Sequence, residues 1–257
     1  LRQQLEVCVG KSIPVISVTA VIGSTEESAI DPLTEILDMR EEFKKKGLNF
    51  AVLADAAWGA YMRTMLIDPD SPEEQEKTLK WENIKGRERR ERDRSEVITK
   101  VVPISPLSQH ATDNLNALHR ADTVTSDPHK TGYVPYPAGG LSYRNGTMKE
   151  FVRLAAPEVF HDANDLSVGV NGLEGSKPGA AGAGVLLSHR VIGLDKYGYG
   201  RILGQCMYGA KIYYCLWLHL SKPTDPFIIK PYLPCSEDDT DAAKKLIIGK
   251  KNEEIVE

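Results

Sequence analysis

The chain has 257 residues, 41% of them hydrophobic and 26% charged, the balance of a soluble globular protein long enough to bury a real core. Its formal net charge of −4 gives no electrostatic basis for binding nucleic acid or an anionic membrane surface. No apolar run reaches the roughly 20 residues of a membrane-spanning helix. The four cysteines, Cys8, Cys206, Cys215 and Cys235, form no C-x-x-C pair and read as reduced thiols of a cytoplasmic protein.

The opening Leu1-Arg2-Gln3-Gln4-Leu5 lacks the basic and apolar regions of a signal peptide. It reads as the end of a helix entered from upstream. Together with the charged end from Lys250 to Glu257, this leads us to expect a fragment of a longer chain. Residues 13–20 are β-branched and apolar and run into Gly23-Ser24-Thr25, the pattern of a buried strand and a loop. Asp31-Pro32 opens a helix with Leu33, Ile36, Leu37 and Phe43 on one face, and Lys44-Lys45-Lys46-Gly47 closes it. Residues 49–54 form a second buried strand ending at Asp55. Strand, helix, strand at this spacing predicts a mostly parallel sheet flanked by helices, an α/β fold.

Seventeen of the thirty positions from 69 to 98 are charged, which predicts a solvated, mobile insertion. The alternation then resumes: a helix over 107–120, a strand over 121–125, a strand over 139–144 and a helix over 148–156. Two long helices follow over 179–192 and 199–218, and 227–230 is a further strand. The domain reading is a large domain over 1–220 with the insertion at 69–98, then a linker and the start of a small domain over 221–257.

Two segments at the C-terminal ends of predicted strands stand out, because ligands of open α/β sheets bind there. One is Asp55-Ala56-Ala57-Trp58-Gly59; the other is Ser126-Asp127-Pro128-His129-Lys130. A lysine that can form an imine, a carboxylate that can hold a ring nitrogen protonated and an imidazole that can move protons are what pyridoxal 5′-phosphate requires of a protein. Lys130, Asp55 and His129 could take these parts, with Ala57 as a small residue under the ring. His110, His119, His161, His189 and His219 lack metal-ligand spacing. Gly139-Gly140 is not a dinucleotide fingerprint. Tyr208, Tyr213, Tyr214 and Trp217 read as core or as a dimer interface.

Gly23-Ser24-Thr25, Ile30-Asp31-Pro32, Leu53 to Gly59 and Ala121 to Lys130, in that order, resemble the group II pyridoxal-phosphate-dependent amino-acid decarboxylases. Pro135 to Gly140 and Gly175 to Ala180 are most similar to the archaeal tyrosine/aspartate branch. The resemblance implies part of a fold-type I large domain, pyridoxal phosphate as cofactor and decarboxylation of an L-amino acid through a Lys130 Schiff base. A tyrosine or other aromatic substrate is favoured, an acidic one second. It implies that Lys130, His129 and Asp55 are catalytic, and that Asp55, Ala57, Ser126, His129 and Lys130 bind the cofactor. Asp127 would lie near the cofactor phosphate, and Pro178 to Gly184 near the site or a dimer partner. The implied partners are a small amino-acid substrate and a second copy of the chain.

The sequence also departs from the family. Val21 stands where a Thr is frequent, and Asp55 and Lys130 are 75 positions apart, further than in relatives. The segments that supply the main phosphate loop and a ring-stacking histidine are not recognisable, nor is the small domain that helps hold the substrate carboxylate. Two alternatives therefore stand beside decarboxylation: a carbon–carbon lyase of the sphingosine-phosphate lyase type, and an incomplete module with a structural or interaction role.

Overall fold

The computed structural model describes residues 1–73, 104–152, 178–220, 224–227, 229 and 245. The charged insertion therefore lies outside the described residues from position 74 onward, as do two of the four residues of the strand expected over 227–230; the other two, Phe227 and Ile229, are not in a strand. The chain divides into two compact units, residues 1–66 with 108–194, and residues 67–107 with 195–257.

The first unit carries α1 (Arg2–Gly10), β1 (Ser17–Val21), α2 (Leu33–Lys45) and β2 (Ala51–Asp55), followed by a 3₁₀ helix at Ala60–Leu66. After position 107 come α3 (Gln109–Asn116), β3 (Thr123–Ser126), β4 (Gly140–Tyr143) and α4 (Gly179–Val191). The sheet order is β1-β2-β3-β4. The first three strands are parallel, and β4 runs antiparallel to β3.

Helix α2 buries Leu33, Ile36, Leu37 and Phe43, an i, i+3, i+4 stripe that covers one face of the sheet. It ends where the motif predicts: Lys46 is the C-cap and Gly47 takes φ +85°, a left-handed turn that glycine adopts without a Cβ clash. Its start is held differently. The Asp31 carboxylate accepts from the Val21 amide at 2.7 Å, pinning the end of β1. The first turn of α2 is instead satisfied by buried Asn114, whose Oδ1 accepts from the Thr34 amide at 3.0 Å and its hydroxyl at 3.1 Å.

Strand β1 is shorter and wetter than the sequence predicts. It begins at Ser17, its burial alternates only weakly, and Ile16 just before it is 89% exposed. Among the described residues β1 is bordered by β2 alone, so its apolar run is only partly covered. The helix expected over 107–120 forms as α3 and continues as a 3₁₀ turn, Ala117–Arg120. The helix expected over 148–156 is, in its described part, a 3₁₀ helix at Gly146–Val152. Asn145 shapes its entry: its side chain accepts from the Thr147 amide at 3.1 Å and from the Thr147 hydroxyl, an Asx turn that favours the tighter coil.

At the N-terminal ends of β2 and β3, Asp122 gathers three donors. The Val52 amide at 2.8 Å and Arg40 at 2.8 Å reach Oδ2, and Arg144 at 2.6 Å reaches Oδ1. Burial pushes this carboxyl up, but the Val52 amide and the two guanidiniums outweigh it and hold the pKa below the ordinary 3.8. The network ties α2, β2, β3 and the end of β4 together at the edge of the sheet opposite the candidate site.

The second unit contains α5 (Tyr199–Leu220). Asp195 caps the approach to it, its Oδ1 accepting from the amides of Tyr197 and Gly198, both at 2.9 Å. Lys196 pairs with Asp68 at 2.5 Å, and the Ser105 amide donates to the Gly204 carbonyl at 3.1 Å. Tyr199, Leu203 and Leu218 are buried. Tyr213, Tyr214 and Trp217 are not: Trp217 is 53% exposed, which overturns a core role for this aromatic row. The sequence pattern shows a helical stripe but does not say whether anything covers it. Among the described residues no helix is long and apolar enough to cross a membrane.

Candidate active site

Parallel pairing brings the two motif segments together. Asp55, the last residue of β2, lies in register with Thr125 of β3, and Ser126 ends β3 one residue later. Each strand releases its following loop at the same edge of the sheet.

The loop after β2 is shaped by a close approach. A Cβ on Gly59 would lie 2.1 Å from the Ile22 carbonyl oxygen, so only glycine lets this turn pass the end of β1. Within the turn, the Ala57 amide donates to Asp55 Oδ1 at 3.3 Å. Among the described residues Asp55 forms no ion pair, so its charge is not already matched within them.

The loop after β3 is stitched onto the first. The Asp127 amide donates to the Ala57 carbonyl at 3.3 Å, and the Thr131 hydroxyl donates to the Trp58 carbonyl at 2.8 Å. Internally, the Lys130 amide donates to the Asp127 carbonyl at 3.0 Å and the Val134 amide to the Pro128 carbonyl at 3.0 Å. Lys130 is thus carried on a tight turn bonded on both sides, and a lysine held this way loses less freedom on binding a ligand.

The charged groups converge. Lys130 Nζ lies 3.1 Å from Asp127 Oδ2, and His129 Nε2 lies 3.7 Å from the same oxygen. Lys130 Nζ is also 5.9 Å from the centre of the Trp58 ring, within range of an ammonium–ring attraction. His129 Nδ1 bonds the Ala138 carbonyl, so the proton belongs on Nδ1 and Nε2 faces the carboxylate. The His129 ring stacks on Tyr136, centroid to centroid 3.9 Å at a 38° tilt. Ser126 Oγ lies against β4, 3.0 Å from where a Cβ on Gly140 would be.

Of the residues singled out in the sequence, Asp55, Ala57, Ser126, His129 and Lys130 all lie on these two adjoining loops or the strand ends that feed them. Sequence reasoning did not single out Trp58, Thr131 or Tyr136 as contributors. Trp58 and Tyr136 stand inside the motifs and Thr131 directly follows one, but their parts follow from hydrogen bonds and stacking, which no spacing reveals. Asp127, expected near the cofactor phosphate, pairs its carboxylate with Lys130. In the segment Pro178 to Gly184, a Cβ on Gly184 would lie 3.8 Å from Val134 Cγ1. Among the described residues no cluster of metal-ligating side chains occurs.

The donor set fits pyridoxal phosphate. An amine, a carboxylate without an ion-pair partner among the described residues and an oriented imidazole are the groups that its aldehyde, ring nitrogen and proton transfers call for.

No protein-family model matches the sequence. Among curated proteins, the chain is 34% identical over 209 residues to an L-tyrosine decarboxylase of Enterococcus faecalis, covering 79% of this chain and 32% of that protein. It is 34% identical over 206 residues to an L-tyrosine decarboxylase of Levilactobacillus brevis, covering 78% and 31%. The chain therefore spans about a third of the length of the curated relatives it matches. Among solved structures it resembles mouse CSAD in its apo form, with TM-score 0.55 at 18% identity over 90% of this chain and 38% of that one. It also resembles Oryza sativa TDC with PLP and tryptamine, with TM-score 0.52 at 14% identity over 95% and 43%. The likenesses define the fold as part of the large domain of the fold-type I enzymes. Within that class, the chain is similar to the group II amino-acid decarboxylases, matching about a third of the length of L-tyrosine decarboxylases at 34% identity.

Proposed function

We propose that this protein is a pyridoxal-phosphate-dependent decarboxylase of an L-amino acid, with Lys130 as the lysine that bonds to the cofactor. One observation carries the reading: Lys130, His129 and Asp127 converge on one loop that is hydrogen-bonded to the loop following Asp55. An aromatic substrate is favoured because L-tyrosine decarboxylases are among the relatives, at 32% to 34% identity. An acidic substrate is second, since an aspartate 1-decarboxylase of Aliivibrio fischeri is 26% identical over 171 residues.

When bound, pyridoxal phosphate supplies an electron sink for the charge left as carbon dioxide departs. In this reading the chain's own residues set the conditions. Asp55 holds a proton at the ring nitrogen. Ala57 leaves room for the ring. His129, anchored through Nδ1 to the Ala138 carbonyl, offers Nε2 for proton exchange, and Ser126 contributes a hydroxyl at the end of β3. Asp127 holds the Lys130 side chain in place through its carboxylate. A homodimer belongs to this reading; the exposed apolar side chains of Leu186, Leu187 and Val191 on α4 are a surface a second copy could cover.

The test is to add pyridoxal phosphate to the protein and follow absorbance near the visible edge, then assay L-tyrosine for released carbon dioxide and amine. The wild-type chain gains the absorbance and Lys130→Ala does not. Turnover retained by Lys130→Ala would sink the assignment, and release of an aldehyde in place of carbon dioxide would favour a carbon–carbon lyase.

A further inference from the structure

The loop that bears Lys130 rests on a side chain to which the reaction gives no part. Tyr61 lies in the 3₁₀ helix that follows Gly59 and is 5% exposed. Its ring presses directly on backbone: a Cβ on Gly132 would lie 2.6 Å from Tyr61 Cζ and 2.8 Å from its Oη. The Pro128 carbonyl oxygen, 2.5 Å from the same point, and the ring together require glycine at position 132. Gly132 is two residues from Lys130 and inside the turn closed by the Val134 amide on the Pro128 carbonyl.

The ring is itself fixed from the far side. Tyr61 Oη and His189 Nε2 are 2.7 Å apart, and the two rings stand 5.7 Å apart at 57°. His189 sits in the last turn of α4. Burial lowers its pKa below the ordinary 6.5, so the neutral ring is the form that meets the hydroxyl near neutral pH. Helix α4 approaches the same loop a second time, where Gly184 faces Val134. A continuous set of contacts thus runs from His189 through Tyr61 to Gly132.

We propose that Tyr61, clamped by His189, is a positioning residue for Lys130: its ring is the wall that seats the lysine loop. The catalytic consequence rests on the reading of Lys130 given above; the seating of the loop does not. The ring replaces side-chain packing that a glycine cannot supply, and a rigid element behind the loop keeps Nζ where a ligand aldehyde can reach it.

The experiment uses the full chain and two readouts. The first is hydrogen exchange of the amides in 127–134, with those in 33–55 as an internal reference. The second is capture of pyridoxal phosphate: Lys130 Nζ joins the aldehyde carbon with loss of one water, borohydride delivers hydride to that carbon, and the fixed C–N bond is located by peptide mass spectrometry. In Tyr61→Phe the hydroxyl tie is lost; exchange in 127–134 rises and capture slows, each by about three- to tenfold, the size of one lost hydrogen bond. His189→Leu behaves alike, while His189→Gln, which keeps a polar partner at that place, restores most of both. Tyr61→Leu removes the ring and has the larger effect; should it not fold, the Phe and His189 variants carry the test. Exchange in 127–134 unchanged in Tyr61→Phe and His189→Leu, or raised equally in 33–55, overturns the proposal. If the wild-type chain captures nothing at Lys130, the cofactor reading fails and the exchange arm alone decides the seating.

Discussion

Lys130 and Asp127 form an ion pair, Nζ to Oδ2 at 3.1 Å, across one turn of the loop that follows β3. Both side chains are largely buried, and His129 faces the same oxygen. To bond to an aldehyde, Lys130 Nζ has to leave this carboxylate and reach the ligand. Asp127→Asn removes the counter-charge without changing size. Its capture of pyridoxal phosphate, followed by absorbance at fixed pH, should be about two- to fivefold faster, the equivalent of a partly exposed ion pair worth up to ~1 kcal/mol. A slower rate would mean that Asp127 orients the lysine more than it restrains it.

Asp55 separates cofactor capture from turnover. It lies at the end of β2 with no ion-pair partner among the described residues, and its part in the proposed reaction is to keep the ring nitrogen charged. Asp55→Asn should still join pyridoxal phosphate to Lys130 but lose decarboxylation by about 10² or more, because the lost interaction matters chiefly in the transition state. Parallel trapping and carbon dioxide assays check this; equal loss in both would make Asp55 a structural residue of the loop.

Gly59 is a steric test of the same loop. Its virtual Cβ lies 2.1 Å from the Ile22 carbonyl oxygen, and that oxygen belongs to backbone that cannot swing away. Gly59→Ala should cost about 2 kcal/mol or more in urea unfolding, in the range of forced overpacking. A stability equal to wild type would show that the loops after β1 and β2 can part.

Asp122 governs the acid side of the stability curve. Its carboxyl titrates below the ordinary 3.8 in the folded chain, so the unfolded chain binds the proton more readily. The stabilisation is complete above pH 3.8 and is lost as pH falls through the lower, folded value. Asp122→Asn should destabilise by about 1–3 kcal/mol at neutral pH. It should also flatten the fall in stability below pH 4. Urea midpoints from pH 3 to 7 measure both; a fall below pH 4 as steep as wild type would assign it to other carboxylates.

Much of the first unit was legible in order. The apolar stripe of α2, its Lys46-Gly47 end and the β2 run through Val52 and Ala54 were visible because helical and strand periods write burial directly into residue spacing. The start of β1 was not, because an apolar run such as Ile13 to Ile16 reads alike whether one neighbouring strand covers it or two. A core role for the aromatic row on α5 could not be told from an exposed one for the same reason. Asn114 as the partner of Thr34 was invisible, since 80 positions separate them and only the folded chain brings them together.

The Lys130 segment and Asp55 were named from residue types and order, because imine formation and ring-nitrogen pairing need particular chemical groups and the sequence states which groups are present. By itself, then, the sequence determined the chemistry on offer, the order of the motifs and the resemblance to amino-acid decarboxylases. Only the tertiary structure decided that the Asp127 carboxylate meets Lys130, that His129 turns Nε2 toward it, and that Tyr61 and His189 stand behind the loop. Those facts depend on distances between residues far apart in the chain, and distances of a few ångströms are set by how the strands and helices pack.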